Sequence, residues 1–154
     1  MSALRFEVCD PEVVPASELL AAMRAELNDV YESFSRLDNP PLHPEELRAP
    51  GGAYLVGYER DEAVAGGGVR RLTAEVGEVK RMYVRPAFRS RGVAAALLEA
   101  LEATASSLGY RAVRLDTGPK QVHARRLYRA AGYVEVPPYN DNPFACFWGE
   151  KRLG

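Results

Sequence analysis

The chain is poor in the residue types that build disulfide frameworks and metal sites. Its two cysteines, Cys9 and Cys146, lie far apart among 154 residues and match no metal-ligand spacing, so we expect no disulfide and no metal. No window holds the ~18 consecutive apolar residues that a membrane helix needs. The N-terminus also lacks the basic-then-apolar pattern of a signal peptide. These absences predict a cytoplasmic protein that does not bind membranes.

Neither sign of charge is in excess. The sequence has 20 basic and 21 acidic side chains, for a net charge of −1. No overall field therefore favours nucleic acid, and no nucleic-acid partner is expected. With 47% apolar and 27% charged residues, the composition is that of a globular protein. This length predicts a single domain, residues 1–154, with one hydrophobic core.

Hydrophobic periodicity predicts alternating strands and helices after an N-terminal helical region capped by Ser17. The predicted elements are one or two helices over 17–36, a loop at 37–52, strands 53–59, 63–72 and 77–84, a helix 94–108, a strand 111–117, a helix 120–132, and strands 133–136 and 143–151. The first two strands form a hairpin. This order predicts a mixed sheet flanked by helices, with at least one strand–helix–strand crossover, an α/β (α+β) fold.

The segment RPAFRSRG, residues 85 to 92, precedes the predicted helix 94–108. The unpaired N–H groups at a helix start attract anions, and Gly92 would let a ligand approach the main chain closely. Charge-assisted hydrogen bonds from Arg89 and Arg91, at roughly 1.5–3 kcal/mol each, outweigh the ~0.3–1 kcal/mol of the helix dipole. Taken alone, the segment also fits an ordinary solvent-facing loop.

A wider stretch, RMYVRPAFRSRGVAAALLEAL, resembles the acyl-coenzyme A signature of the GNAT N-acetyltransferase superfamily. In that signature a strand leads into R/Q-x-x-G-x-G/A and a long helix, and Arg89, Gly92 and Ala94 occupy the three fixed positions. The segment LYRAAGYVEV, residues 127 to 136, resembles a later helix–glycine–strand motif of the same superfamily. The resemblance covers the chain from about residue 50 onward. It implies a mostly antiparallel mixed sheet with acyl-CoA bound at the splay between two central strands.

The resemblance implies acetyl-CoA as co-substrate, with the main chain of one loop wrapped around its pyrophosphate. The residues of that loop are Arg89, Ser90, Arg91, Gly92, Val93 and Ala94. A main-chain N–H within Met82, Tyr83 and Val84 would polarise the thioester carbonyl, although these side chains also fit an ordinary central strand. Gln121 stands where many relatives carry an asparagine against the pantetheine arm, so the amide is displaced by one methylene.

Acetyl transfer to an amine requires a proton acceptor. An alkyl amine with a pKa of ~10.4 is neutral in only about one molecule in 2,500 at pH 7, a gap of roughly 4–5 kcal/mol. The resemblance places a general base at Glu78, acting directly or through water. The alternative is that Glu78 is an exposed strand carboxylate paired with Lys80, two residues away on the same face.

The departing thiolate needs a proton or a hydrogen bond, and the resemblance assigns this role to Tyr128. The alternative is a tyrosine packed between helix and sheet with its hydroxyl bonded elsewhere. The acceptor region is less defined. Tyr139, Asn140 and Asn142 suit a small polar molecule but also fit a rigid turn, and Arg81 or Arg36 could bind a substrate carboxylate.

The sequence thus predicts a GNAT-type acetyltransferase that moves an acetyl group from acetyl-CoA to a small amine or amino-acid-like acceptor by direct attack. The alternative is a sensor or assembly module that binds acyl-CoA without turnover. A homodimer is compatible with the resemblance, because dimers are common in the superfamily. Arginines such as Arg125, Arg126 and Arg129 fit a solvated helix edge better than a nucleic-acid surface.

Overall fold

A computed structural model describes residues 4–31, 42–118 and 122–154. Within these ranges seven strands form one mixed sheet in the order β1-β2-β3-β4-β5-β7-β6. The strands are β1 (Leu4–Val8), β2 (Ala53–Glu59), β3 (Glu62–Arg71), β4 (Val76–Val84), β5 (Ala112–Thr117), β6 (Val134–Glu135) and β7 (Phe147–Arg152), and the helices are α1 (Ala16–Tyr31), α2 (Val93–Ser107) and α3 (Val122–Ala130). None of the described helices is long and apolar enough to cross a membrane.

The centre of the sheet follows the predicted topology. The β2–β3 hairpin is antiparallel, and β3 continues antiparallel to β4. The chain then crosses over through α2, so that β5 lies parallel to β4. A right-handed crossover through a helix is the usual way to join adjacent parallel strands. The mixed, mostly antiparallel sheet predicted from the sequence is therefore confirmed.

Two groups of apolar side chains form the core, one on each face of the sheet. On one face α2 buries Leu97, Leu98, Leu101 and Ala105, which are the stripe expected from their three-to-four spacing. On the other face α1 buries Leu19 and Met23 against strands β2 and β4. Each helix therefore covers its own side of the two strands that lead to the predicted site.

Several boundaries differ from the predictions. Strand β1 was not expected, because five residues at a sheet edge that are mostly half-buried or exposed give little periodic signal. Helix α1 begins at Ala16, and the Ser17 N–H already donates to the Val13 carbonyl, so Ser17 is not the cap. The prediction of strand over 143–146 is also wrong, because β7 starts at Phe147. The predicted helical residues 32–36 lie outside the described residues.

Position 66 of β3 requires a glycine, because the Tyr54 side chain lies very close to its main chain. A Cβ placed on it would lie 2.2 Å from the Tyr54 hydroxyl oxygen and 2.8 Å from the ring carbon that bears it. The Tyr54 side chain is fully buried, and within the described part of the chain its hydroxyl has no hydrogen-bond partner. The space beside Gly66 is therefore filled by the Tyr54 side chain.

We expect Gly66→Ala to destabilise the protein by about 1–3 kcal/mol, because the added methyl overpacks a buried site. Tyr54→Phe removes the oxygen in the way and an unpartnered hydroxyl, so it should itself cost little. In the Tyr54→Phe background Gly66→Ala should cost less than in the native background. Urea unfolding of all four proteins measures this coupling, and equal costs in both backgrounds would refute the steric explanation.

Candidate active site

The cleft of the candidate site opens where β4 and β5 separate. Their parallel pairing covers Val76 to Glu78 against Ala112 to Arg114 and extends no further. Beyond these pairs the two strands form the walls of a cleft. Its lining residues are Met23, Glu26 and Leu27 of α1, residues 79–83 of β4, Asp116, Thr117, Gly118, Tyr128, Asn142 and Phe144. A cleft between diverging central strands exposes backbone groups that an intact sheet would have paired.

A β-bulge shapes the β4 wall of this cleft. Gly66 pairs with Tyr83 and Gly68 with Lys80, so two residues of β4 lie opposite Gly67 alone. One of them, Arg81, has a φ of 62°, in the left-handed region that a non-glycine residue seldom adopts. Bulges of this kind bend a strand and redirect its side chains.

The bulge leaves backbone donors directed towards the cleft. The Arg85 N–H donates to the Val64 carbonyl of β3 at 2.8 Å. Because backbone groups of a strand alternate between its two neighbours, those of Val84 and Met82 point to the β5 side. The Val84 carbonyl accordingly accepts from the Arg89 Nε at 2.8 Å rather than from β3. This arrangement supports the proposal that an N–H within Met82, Tyr83 and Val84 polarises the thioester.

The loop before α2 has the backbone shape of an anion site. Ser90 and Gly92 have φ angles of 63° and 81°, and such alternations direct successive N–H groups into one concavity. The first helical bond joins the Ala96 N–H to the Gly92 carbonyl at 3.2 Å, so the N–H groups of Val93 and Ala94 precede it and lack helical partners. A Cβ on Gly92 would meet no atom within 4 Å. The room for a ligand that the sequence required is present.

The two arginines of this loop are less available than the sequence suggested. The Arg89 guanidinium donates to both oxygens of Glu26 in α1, at 2.8 and 2.9 Å, and lies over the Tyr83 ring. Arg91 donates to Glu59 at 3.1 Å. The Arg89–Glu26 pair is exposed, whereas in the second pair Arg91 is exposed and Glu59 keeps 19% of its side chain exposed. Pairs open to solvent in this way contribute little stability and can be exchanged for a phosphate. The main chain is the fixed part of the loop, and the arginine side chains are the adjustable part.

Tyr128 reaches the cleft from α3. Its side chain is buried, and its hydroxyl donates to the Met82 sulfur at 3.8 Å, a weak acceptor that a ligand could replace. Burial raises the pKa of Tyr128 above its usual value, and the Asp116 charge raises it further. The phenol therefore holds its proton more tightly than a thiol does, so it suits hydrogen bonding to a departing sulfur better than outright proton donation.

Glu78 lies behind the cleft, not on its wall. Its side chain is fully buried, so it is not the exposed strand carboxylate that was the alternative. Arg70 Nε donates to one carboxylate oxygen at 2.8 Å, and the other accepts from the Tyr139 hydroxyl at 2.8 Å and Asn140 Nδ2 at 3.3 Å. The role of Glu78 as a general base stays a prediction, and it would require an intervening group to carry the proton.

Asp116, which was not among the predicted site residues, lines the cleft opposite Lys80. Asn140 Nδ2 donates to one of its oxygens at 2.6 Å and Asn142 Nδ2 to the other at 3.3 Å. The Trp148 indole in turn donates to Asn140 Oδ1 at 2.9 Å. A carboxylate at the C-terminal end of a buried strand, just before Gly118, was the signal that could have identified it.

The segment 136–146 therefore closes one side of the cleft. Its residues Tyr139, Asn140 and Asn142, expected either to contact a small polar molecule or to form a rigid turn, bond to the carboxylates of Glu78 and Asp116. Burial raises the pKa of Tyr139 and the Glu78 charge raises it further, so this phenol stays protonated. Gln121 and Arg36 lie outside the described residues, and Arg81 lines the cleft.

The model of the acetyltransferase (GNAT) family matches residues 20–133, and the chain belongs to this family. It is accordingly an acyltransferase of a family that uses acetyl-CoA. An Azospirillum brasilense protein named IAA acetyltransferase is 33% identical over 141 residues, covering 88% of this chain and 89% of that protein.

Solved structures share the fold. A GNAT family acetyltransferase from Staphylococcus aureus superimposes with a TM-score of 0.76 at 17% identity, over 99% of this chain and 100% of that one. A GNAT family acetyltransferase from Elizabethkingia anophelis with acetyl-CoA bound gives a TM-score of 0.68 at 16% identity, over 97% of this chain and 98% of that one. The resemblance predicted from the loop before α2 is confirmed.

We expect Gly92→Val to lower the affinity for acetyl-CoA at least tenfold, because its side chain would occupy the space above the loop N–H groups. Titration calorimetry measures the change. Gly109→Val at the end of α2 is a matched control, because Gly109 also has a positive φ, of 98°, and no atom within 4 Å of a Cβ. Both variants carry similar backbone strain. An equal loss of affinity in both would contradict a direct role for the loop.

Proposed function

We propose that the protein transfers the acetyl group of acetyl-CoA to the amine of a small molecule or amino-acid-like acceptor by direct attack. The observation that carries the proposal is the cleft between β4 and β5, where backbone donors, the Tyr128 hydroxyl and a carboxylate meet. Direct attack needs these groups around one thioester and needs no covalent enzyme intermediate. Acceptor and thioester would enter the cleft from opposite sides.

In the proposed site, different structural elements bind the cofactor, stabilise the oxyanion and stabilise the departing sulfur. The loop of residues 89–94 binds the pyrophosphate with its main chain, which fixes the reach of the pantetheine arm towards β4. An N–H within Met82, Tyr83 and Val84 stabilises the oxyanion, a contribution of a few kcal/mol to the barrier. Tyr128 donates a hydrogen bond to the sulfur as the C–S bond breaks. Gln121 remains a proposed contact of the pantetheine arm.

A screen of acceptors tests the proposed function. Benzylamine, tyramine, spermidine and free amino acids are each incubated with acetyl-CoA, and free thiol is followed over time. We expect turnover with at least one primary amine. Binding of acetyl-CoA without thiol release from any acceptor would refute the proposed acceptor class.

Tyr128→Phe should lower kcat about 100-fold or more, because the departing sulfur loses its hydrogen bond. The Kd for acetyl-CoA should stay within about threefold, since the contact strengthens mainly as the thiolate forms. Tyr133→Phe is the matched control: its ring packs 6.0 Å from the Tyr128 ring, and its hydroxyl donates to Glu102 at 2.9 Å, outside the cleft. Equal kcat values for Tyr128→Phe and Tyr133→Phe would remove Tyr128 from the mechanism.

A further inference from the structure

The two carboxylates near the cleft have different surroundings. Glu78 is fully buried and accepts three hydrogen bonds, from Arg70, Tyr139 and Asn140. Asp116 keeps 8% of its side chain exposed and belongs to the cleft lining. A carboxylate offers about four acceptor positions, and the amides of the two asparagines use one on each oxygen of Asp116. Asp116 therefore retains acceptor capacity towards the cleft.

The register of the strands places Asp116 at the start of the cleft. Glu78 pairs with Arg114 at the last β4–β5 contact, and side chains two residues apart share a face of the sheet. Lys80 and Asp116 consequently lie on opposite walls at the start of the cleft. The Lys80 Nζ is 3.9 Å from Asp116 and 3.8 Å from Glu78, beyond hydrogen-bond range of both.

Asp116 and Glu78 share one cation, Lys80. Of the other nearby cations, Arg70 is paired with Glu46 and Glu78, and Arg114 with Glu150. Arg81 also lines the cleft. A buried carboxylate favours a balancing cation, and the open side of Asp116 is where the cation of a ligand can reach it.

We infer that Asp116 is the catalytic residue that binds the ammonium group of the acceptor and removes its proton, with Asn140 and Asn142 as positioning residues. The inference rests on the proposed function and narrows its acceptor to an amine that enters as the cation. A buried carboxylate that shares its one neighbouring lysine with a second carboxylate favours a cationic ligand over a neutral one. The role of general base, which the resemblance assigned to Glu78, thus belongs to Asp116 on the neighbouring strand. Glu78 instead holds Tyr139 and Asn140 in place through hydrogen bonds.

In this acetyl transfer, one ammonium proton of the acceptor first moves to the Asp116 carboxylate. The freed nitrogen lone pair then forms a C–N bond to the thioester carbonyl carbon. The C–S bond breaks and its electron pair stays on sulfur, which receives the second amine proton while Tyr128 donates a hydrogen bond. Asp116 then releases its proton to solvent.

Several charged or titratable groups face Asp116, and all of them remain in Asp116→Asn. They are Lys80 and Glu78 of β4, Arg81 of the cleft lining, Tyr128 of α3, Tyr139 of the segment 136–146, and Glu26 of α1, which lines the same cleft. The two tyrosines have raised pKa values, so they do not ionise between pH 6 and 9.

The test compares pH profiles of kcat/KM for the best primary amine of the panel above. In the native protein the profile should be flat from about pH 6 to 9, because the acceptor amine enters protonated and loses its proton on the enzyme. Asp116→Asn keeps the shape but removes the base, so only the neutral amine reacts. Its kcat/KM should fall at least 100-fold at pH 7 and then rise about tenfold per pH unit, since the neutral fraction rises by that factor.

Two further variants complete the test. Asn142→Ala keeps the Asp116 carboxylate but removes one of the hydrogen bonds that hold it. We expect kcat/KM to fall about tenfold and its pH profile to stay flat. Glu78→Gln should also keep a flat profile if its role is structural. A flat profile for Asp116→Asn, or a tenfold-per-unit rise for Glu78→Gln, would overturn the assignment. Asp116→Ser replaces the asparagine variant if that protein does not fold, as judged by circular dichroism and acetyl-CoA affinity.

Failure of this inference can be told apart from failure of the proposed function. If the native protein acetylates no amine of the panel, the proposed acceptor class is wrong and the inference falls with it. If the native protein acetylates an amine and Asp116→Asn retains activity within about threefold across the pH range, the proposed function stands and Asp116 is not the base.

Discussion

The site depends on the separation of β4 from β5. The two strands pair over only a few residues, and the unpaired remainder forms walls of the candidate cleft. A sheet that stops pairing exposes backbone polar groups that must find other partners. Here the bulge at Arg81 bends β4, and the Arg89 side chain satisfies the Val84 carbonyl. The end of β4–β5 pairing therefore accounts for the cleft and for its unpaired backbone donors. It also accounts for the contact between Val84 and Arg89 of the following loop.

In the proposed site, the loop before α2 would make both fixed and adjustable contributions to cofactor binding. Its backbone geometry is set by two residues with positive φ, and the helix start supplies N–H groups that no side chain has to position. The arginines, in contrast, are paired with an exposed carboxylate of α1 and a partly exposed one of β2. Exchange of such a pair for a phosphate would cost little. The pairing of Arg89 with Glu26 also connects this loop to the helix that lines the cleft.

One face of the central strands carries buried charged side chains, which is unusual for a sheet. Glu78 is fully buried, together with half-buried Arg70, and the face is covered by tyrosine, asparagine and tryptophan side chains that satisfy its charges. Buried ion pairs seldom add net stability, so their retention indicates a demand for position. The network runs from Glu46 through Arg70, Glu78 and Asn140 to Asp116. The position of the cleft carboxylate therefore depends on residues from five separate chain segments.

Local patterns in the sequence determined much of this protein. The apolar stripe of α2, the hairpin of β2 and β3, and the glycine before α2 each depend on neighbours within a few residues, and the family signature lies within one such stretch. The sequence also indicated Tyr128 and Tyr139 as polar groups of interest. What it could not show was which partners these groups meet. Asp116, Asn140 and Glu78 come together only because the crossover aligns β5 with β4 and the segment 136–146 folds back over both. Tertiary packing likewise decides that Glu78 is fully buried while Asp116 lines the cleft. The sequence alone could not distinguish the two carboxylates, because their burial depends on chain segments that are distant in sequence.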